Sequence, residues 1–286
     1  MSPTRKLREL LARDTMLVAP GAYDGITARA VQRAGFDAVY MTGAGTAAAL
    51  GYPDYGLATM TEMVENAGRI AAAVSIPVIA DADTGYGNEL NVARTVREYE
   101  RRGVAAIHLE DQVFPKRCGH LDEKLVIPAE EFFSKIRAAA QSRIDRDFVL
   151  IARTDARAPI GMDEAIDRAN GALEAGADVA FVEAPETPDE VREVPGRVRG
   201  PCLLNYVLGG KTPALDLDSA EQAGYRLAIV PGLLLITSLI ACEDALEELR
   251  TTRRHPQPER AMSLKEAFRR FGADEWDALR RRFGSI

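Results

Sequence analysis

The sequence predicts a single (β/α)8 barrel of the TIM type, and three observations point to it. A helical stretch that ends in Gly and runs straight into an apolar, β-rich segment recurs four times. Four further apolar runs of the same character bring the strands to eight, alternating with helices, which implies parallel pairing and the strand number that closes a barrel. The length, 286 residues, suits one barrel, which takes roughly 250. An open, doubly wound sheet is the alternative built from the same alternation.

Taken in order, the charged segment MSPTRKLRELLARDTMLV reads as a helix leading into the first strand, MLVAP (16–20). The second strand is DAVYM (37–41), entered through Arg33-Ala34-Gly35-Phe36. An amphipathic helix over 60–73 precedes the third, PVIAD (77–81). Another over 88–102 closes with Gly103 and feeds VAAIHL (104–109). Pro128 starts a helix over 129–142, followed by DFVLIAR (147–153). Met162-Asp163 opens the next helix, and Gly176 separates it from DVAFVEA (178–184). PCLLNYV (201–207) and, after Gly224, RLAIVP (226–231) complete the set. Gly after a helix supplies the left-handed turn that sends the chain back. Runs that are apolar throughout fit strands covered on both faces. Residues 259–286 carry Phe268, Phe271, Trp276, Leu279 and Phe283 at helical spacing. They are expected to be a helical extension of the one domain, 1–286, either capping its own barrel or packing on a neighbouring subunit.

Composition narrows the functional classes. The formal charge of −7, from 36 basic and 43 acidic residues, argues against nucleic acid as a partner. No apolar run approaches the ~20 residues that cross a bilayer, and the first residues lack the apolar stretch of a secretory signal. Cys118, Cys202 and Cys242 have no metal-ligand spacing and are too few for a disulfide scaffold. A cytoplasmic protein is expected.

In such barrels the chemistry sits at the C-terminal ends of the strands. Here those ends carry Asp81-Ala82-Asp83, His108-Leu109-Glu110-Asp111, Arg153-Thr154-Asp155, Glu183 and Asn205. Carboxylates crowded at one mouth repel one another unless a cation lies among them. Asp81, Asp83 and Glu110 therefore suggest a hard divalent ion, Mg²⁺ first and Mn²⁺ next, although any one of them could instead cap a helix or pair with Lys or Arg. Arg153 offers a bidentate fit to a carboxylate or oxyanion; a salt bridge to Asp155 or Glu183 is its competing role. The loop Phe114-Pro115-Lys116-Arg117-Cys118-Gly119-His120 sets a thiol between cations and an imidazole, an environment in which it can gain or lose a proton. Gly119 would let that loop move.

Two motifs are set aside. Gly43-x-Gly45-x-x-Ala48 follows a strand as a dinucleotide-binding turn does, but in the second unit and with no acidic strand end about 20 residues on, which leaves a nicotinamide-dependent oxidoreductase as a rival reading. Gly210-Lys211-Thr212 lacks the glycine of a P-loop, since Asn205 stands in its place.

The segments GAYDG (21–25), DADTGYG (81–87), LEDQ (109–112), KRCGH (116–120), ARTDA (152–156) and FVEAPE (181–186) closely resemble the isocitrate lyase/phosphoenolpyruvate mutase superfamily, in order and over nearly the whole chain. KRCGH is specific for the branch that cleaves carbon–carbon bonds. The resemblance implies a barrel whose C-terminal helices are exchanged within a dimer, itself often paired into a tetramer. It implies that Asp81 and Asp83 hold Mg²⁺, with Glu110 and Asp54 around it. Thr42, Gly43 and Ala44 would bind the substrate's carboxylate and oxo end; Arg153, Glu183 and Asn205 would line the pocket; Cys118, Gly119 and His120 would close it. The implied reaction is a retro-aldol cleavage of a small 2-hydroxy dicarboxylate to a 2-oxo acid and a carboxylic acid, with Cys118 protonating carbon and Tyr40 a candidate base. Asn205 to Pro213 resembles the dimethylmalate lyase and petal death protein branch, except that Leu208 stands where that branch often has Glu. A 2-alkylmalate such as 2,3-dimethylmalate is thus the first expectation and the tricarboxylate methylisocitrate the second. Oxaloacetate acetylhydrolase and carboxyphosphonoenolpyruvate mutase-like activities follow.

Overall fold

Eight parallel strands close into a barrel in strict chain order, each bonded to the next and the last to the first. They are β1 (Leu17–Ala22), β2 (Val39–Met41), β3 (Val78–Asp81), β4 (Ala106–Glu110), β5 (Val149–Thr154), β6 (Val179–Val182), β7 (Cys202–Asn205) and β8 (Leu227–Val230). The helices are α1 (Pro3–Leu11), α2 (Gly25–Arg33), α3 (Gly43–Ala49), α4 (Met60–Ala73), α5 (Glu89–Arg101), α6 (Ala129–Ser142), α7 (Met162–Glu174), α8 (Pro188–Arg197), α9 (Leu217–Ala223), α10 (Leu233–Thr252), α11 (Leu264–Arg270) and α12 (Ala273–Phe283). This computed structural model describes residues 1–119, 124–213, 215–257 and 261–284. The expected barrel is present and the open sheet is not.

The continuous apolar runs resolve into two faces. Ile79, Ala106, Ile151, Val179, Phe181, Leu203, Leu227 and Ile229 share one buried cluster inside the barrel, joined by Leu7 and Leu10 of α1. Their neighbours along the strands, Val78, Ala80, Ile107, Leu150 and Ala152, pack outward with residues of α4, α5 and α6. Both faces of each strand are thus dry, the condition under which period-two alternation disappears from the sequence.

Local chemistry sets the element ends. Gly35, Gly103, Gly176 and Gly224 take φ of 92°, 78°, 112° and 107°, the left-handed turns expected before β2, β4, β6 and β8. Helices α4 and α6 match their expected bounds, and α6 and α7 begin at Ala129 and Met162. Thr59 with Glu62, and Thr187 with Glu190, form capping boxes on α4 and α8. Several strands are shorter than the apolar runs suggested: β2 starts only at Val39, β6 ends at Val182 and β7 at Asn205, so Glu183 and Ala184, like Tyr206 and Val207, belong to the following loops.

The chain divides into two compact units, Met1–Leu235 and Ile236–Ile286. The second therefore begins well before residue 259, itself outside the described residues, where the helical extension was expected to start. Helices α11 and α12 fall within that extension.

Candidate active site

Past the last inward apolar layer of β3 to β7, the inward positions two residues further on are polar. Ile79 is followed by Asp81, Ala106 by His108 and Glu110, Ile151 by Arg153 and Asp155, Phe181 by Glu183 and Leu203 by Asn205. The register lays Asp81 beside His108 and Glu110 beside Arg153. Asp81, His108, Glu110, Arg153, Asp155 and Glu183 are all buried.

Asp81 is held from several sides. Its Oδ1 accepts the Asp83 amide at 2.9 Å and lies 3.4 Å from His108 Nε2; its Oδ2 accepts the Gly43 amide at 3.2 Å. Burial alone would push its carboxyl up, but His108, Lys116 and Arg153 hold it well below the usual range. Gly43 is required sterically, because a Cβ there would sit 2.2 Å from Asp81 Oδ2. Asp83 has φ of 46°, a left-handed conformation rare outside Gly, and Ala184, next to Glu183, has φ of 53°. Backbone strain of this sort collects at functional sites.

The cations are shared unevenly. Lys116 Nζ lies 2.5 Å from Asp54 Oδ1 and 2.9 Å from Asp83 Oδ1, so part of the compensation inferred for these carboxylates comes from the chain itself. Burial still raises Asp83 to about 6, with Asp81 and Asp54 working against Lys116. The Arg153 fork donates to Asp155 from Nε at 2.9 Å and Nη2 at 3.1 Å, lies 3.3 Å from Glu110 and rests over the Phe181 ring. The salt bridges weighed against an active-site role for Arg153 thus exist, and they aim it into the site. Neither oxygen of Glu110 accepts a hydrogen bond, and burial raises its carboxyl despite Arg153 and Lys116.

A cavity of about 120 Å³ opens at this end of the strands. Tyr40, Thr42, Ala44, Asp54, Asp81, Cys118, Gly119, Arg153, Glu183 and Asn205 line it, together with Val207, Ile229, Pro231, Gly232 and Leu235. Gly43, Asp83 and Glu110 sit behind that wall, in contact with Asp81, Lys116 and Arg153. His120 lies outside the described residues. The Tyr40 hydroxyl is 2.7 Å from His108 Nε2 and 3.4 Å from Asp81 Oδ2, and burial raises its pKa well above that of an ordinary phenol. It keeps its proton at neutral pH, which suits a hydrogen-bond donor better than an anionic base. Thr42 spends its hydroxyl on the Gly45 amide as the N-cap of α3.

The loop carrying the thiol is fastened at its base. Gln112 is paired with Val126, and its side chain binds both the carbonyl (2.8 Å) and the amide (3.0 Å) of Arg117. Asn205 donates to both oxygens of Glu183, at 3.3 and 3.2 Å.

Comparison with known proteins assigns the family. The pattern of the phosphoenolpyruvate phosphomutase family matches residues 7–250. The chain belongs to that family. The 2,3-dimethylmalate lyase of Eubacterium barkeri is 50% identical over 245 residues, covering 85% of each chain. A 2-methylisocitrate lyase of Aeropyrum pernix is 45% identical, covering 86% of this chain and 80% of its own. Among solved structures, an oxaloacetate acetylhydrolase bound to 3,3-difluorooxalacetate superposes with a TM-score of 0.96 at 39% identity, over 100% of this chain and 98% of that one. The superfamily expected from the motifs, and its carbon–carbon lyase branch, are borne out by these relatives.

Within the family fold, sequence reasoning named His108 and Asp155 at the strand ends and Lys116 in the thiol loop without giving them a place in the site, and it passed over Lys124. His108 and Asp155 had a findable signal, since each sits two residues from an inward-facing site residue. Lys116 and Lys124 had none, because their partners are distant in sequence.

Proposed function

We propose that this chain is a Mg²⁺-dependent carbon–carbon lyase that splits the C2–C3 bond of a 2-alkylmalate into a 2-oxo acid and a carboxylic acid. The observation carrying this reading is the division of the cavity wall. Strands β3 to β6 present Asp81, Arg153 and Glu183, while Val207, Ile229, Pro231 and Leu235 supply an apolar wall at the β7–β8 side. Arg153 is the one cation among the described lining residues. A malate-type substrate can set its alkyl group on the apolar wall. A tricarboxylate would press a further carboxylate against it, at a cost of several kcal/mol for an unpaired charge.

The donors fit a hard cation. Glu110 is fully buried with no hydrogen bond to either oxygen, and Asp81 and Asp83 add only oxygen ligands. Among the described residues no three His, Cys, Asp or Glu side chains converge on one point. An ion held by one or two carboxylates and otherwise by water is the habit of Mg²⁺. When bound, it supplies Lewis-acid polarisation of the oxygen on C2.

The protein's own groups divide the remaining work. Arg153 binds a carboxylate and balances the charge that grows on the leaving fragment. The 2-hydroxyl proton passes to the Tyr40 oxygen as Tyr40 hands its own proton to His108 Nε2, 2.7 Å away; the C2–C3 electron pair passes to C3, and the Cys118 thiol delivers a proton to that carbon. Tyr40, protonated, orients Asp81 and His108. The apolar residues exposed on the second unit would pack on another copy of the chain, in a dimer or tetramer with exchanged helices. The cysteines form no disulfide, which suits a reducing, cytoplasmic setting.

The test is release of 2-oxo acid from 2,3-dimethylmalate, citramalate, methylisocitrate and oxaloacetate. We expect cleavage of the alkylmalates with Mg²⁺, its loss with EDTA and recovery on adding Mg²⁺ back. Methylisocitrate should react with a kcat/KM at least about tenfold lower. Preference for methylisocitrate would overturn the substrate assignment, and inertness toward all four the lyase reading. Cys118→Ser should bind substrate yet lose about 10²- to 10⁴-fold in turnover; full turnover would remove Cys118 from the reaction.

A further inference from the structure

We infer that Lys124 is a positioning residue that ties the thiol-bearing segment to the guanidinium in the cavity. The inference rests on the proposed role of Cys118 only for its catalytic arm, since the geometry stands without it. Lys124 is buried and does not line the cavity. Its ammonium donates to the Gly119 carbonyl and, at 2.9 Å, to Asp155 Oδ1. The same Asp155 carboxylate receives both donors of the Arg153 fork. One unbroken chain of charge-assisted bonds therefore runs from the residue after Cys118 to Arg153.

Gly119 is also packed against Arg153 directly. A Cβ at that position would lie 2.3 Å from Arg153 Nη2 and 2.4 Å from Glu183 Oε1, so the backbone itself rests on the pair. On the other side of Cys118, Gln112 grips the amide and carbonyl of Arg117. The thiol thus stands between two backbone clamps. Gln112 fastens its N-terminal neighbour to the strand end, and Lys124 fastens its C-terminal neighbour to the Arg153 carboxylate partner. Hydrogen bonds to a charged donor in a dry setting are strong and directional, and a displacement of about 1 Å at a reacting group costs roughly a hundredfold in rate. Removing the Lys124 clamp should therefore misplace Cys118 and Gly119 while leaving the other lining residues in position.

The experiment uses the full chain with Mg²⁺ and Cys242→Ser, which removes the exposed thiol. Iodoacetamide alkylation of Cys118 is followed by mass spectrometry in the parent, Lys124→Met, Lys124→Gln and Lys124→Arg, each checked for folding by circular dichroism. Lys124→Met should alkylate about tenfold faster, the loss of one charge-assisted bond. Its kcat should fall about a hundredfold with KM nearly unchanged, and Lys124→Arg should recover part of both. An alkylation rate within about twofold of the parent in folded Lys124→Met overturns the inference. If Lys124→Met does not fold, Lys124→Gln, which can still donate to Gly119, decides: an intermediate rate supports the clamp and a parental rate with parental kcat refutes it. Alkylation needs no turnover, so a protein inert toward every substrate would fail the functional reading and still test the clamp.

Discussion

Asp155 shows how one buried carboxylate can organise a site. It is wholly inaccessible, and that burial pushes its carboxyl up, yet Arg153 and Lys124 together pull it down to about 2. Its ordinary value is 3.8. A group depressed in this way stabilises the folded state above its unfolded pKa, and the contribution is lost as pH falls from 3.8 through about 2. The difference corresponds to about 2 kcal/mol. Asp155→Asn should therefore lower stability at pH 7 by about that amount, and the gap to the parent should close between about pH 4 and pH 2. Urea unfolding at a series of pH values measures it, and a gap that stays constant across that window would falsify the assignment. The sequence displayed Asp155 as a strand-end acid and offered Arg153 as one partner, but not Lys124. Lys124 is 31 positions away, and the pair that neutralises Asp54 spans 62. Residue type and strand position were legible at the site; the choice of which cation neutralises which acid was not, because it depends on loops that return from elsewhere in the chain.

The segment between β4 and α6 is the element on which the site depends most. It leaves the barrel after Glu110 and comes back at Ile127, whose amide binds the Asp111 carbonyl. Arg168 of α7 stitches the exit and return together, donating to Asp111 Oδ2 at 3.1 Å and to the Ile127 carbonyl at 2.7 Å. Asp111 in turn accepts from Thr154 Oγ1 at 2.7 Å and the Asp155 amide at 2.8 Å, so the loop base is locked to the end of β5. Arg168→Met would leave Asp111 buried without its cation, a change that costs about 3–5 kcal/mol. A loss below about 1 kcal/mol in urea titrations would show that Thr154 and the Asp155 amide suffice, as expected for a weakly coupled pair. Elements of this kind explain where prediction from sequence stops. The glycine-terminated helices and the apolar strands were readable because each is specified within a dozen residues. The placement of Asp111 and Ile127 was not, since their ties run to the end of β5 and to α7. The overlong reading of β7 has a related cause: Val207 continues the apolar run past the end of the strand because it lines the cavity.

At the scale of the molecule, the second compact unit raises a question of solvation. Within Ile236–Ile286, Ile236, Leu239, Ile240, Leu246 and Leu249 on α10 are each at least 45% exposed, and Phe268, Trp276 and Phe283 at least 60%. None of the helices α10, α11 and α12 buries a residue. Isolated exposed apolar residues are ordinary, but so many large ones on three successive helices are what an interaction surface looks like. The i, i+3, i+4 spacing of Ile236, Leu239 and Ile240 makes a continuous apolar stripe along α10. Charge separates the possible partners. The net charge of −7 disfavours an anionic membrane or nucleic acid, and among the described residues no helix is long and apolar enough to cross a bilayer. A second copy of the chain, carrying the same stripe, can cover it by a two-fold contact in which each patch meets its equal. Light scattering on the purified chain should accordingly give a mass of two or four chains. Ile240→Asp with Trp276→Asp should shift that mass toward one chain, because each buried carboxylate in such an interface lacks a partner and costs several kcal/mol. Should the parent itself run with the mass of one chain at micromolar concentration, the apolar helices must be covered in some other way, and the exchange of C-terminal helices would be excluded.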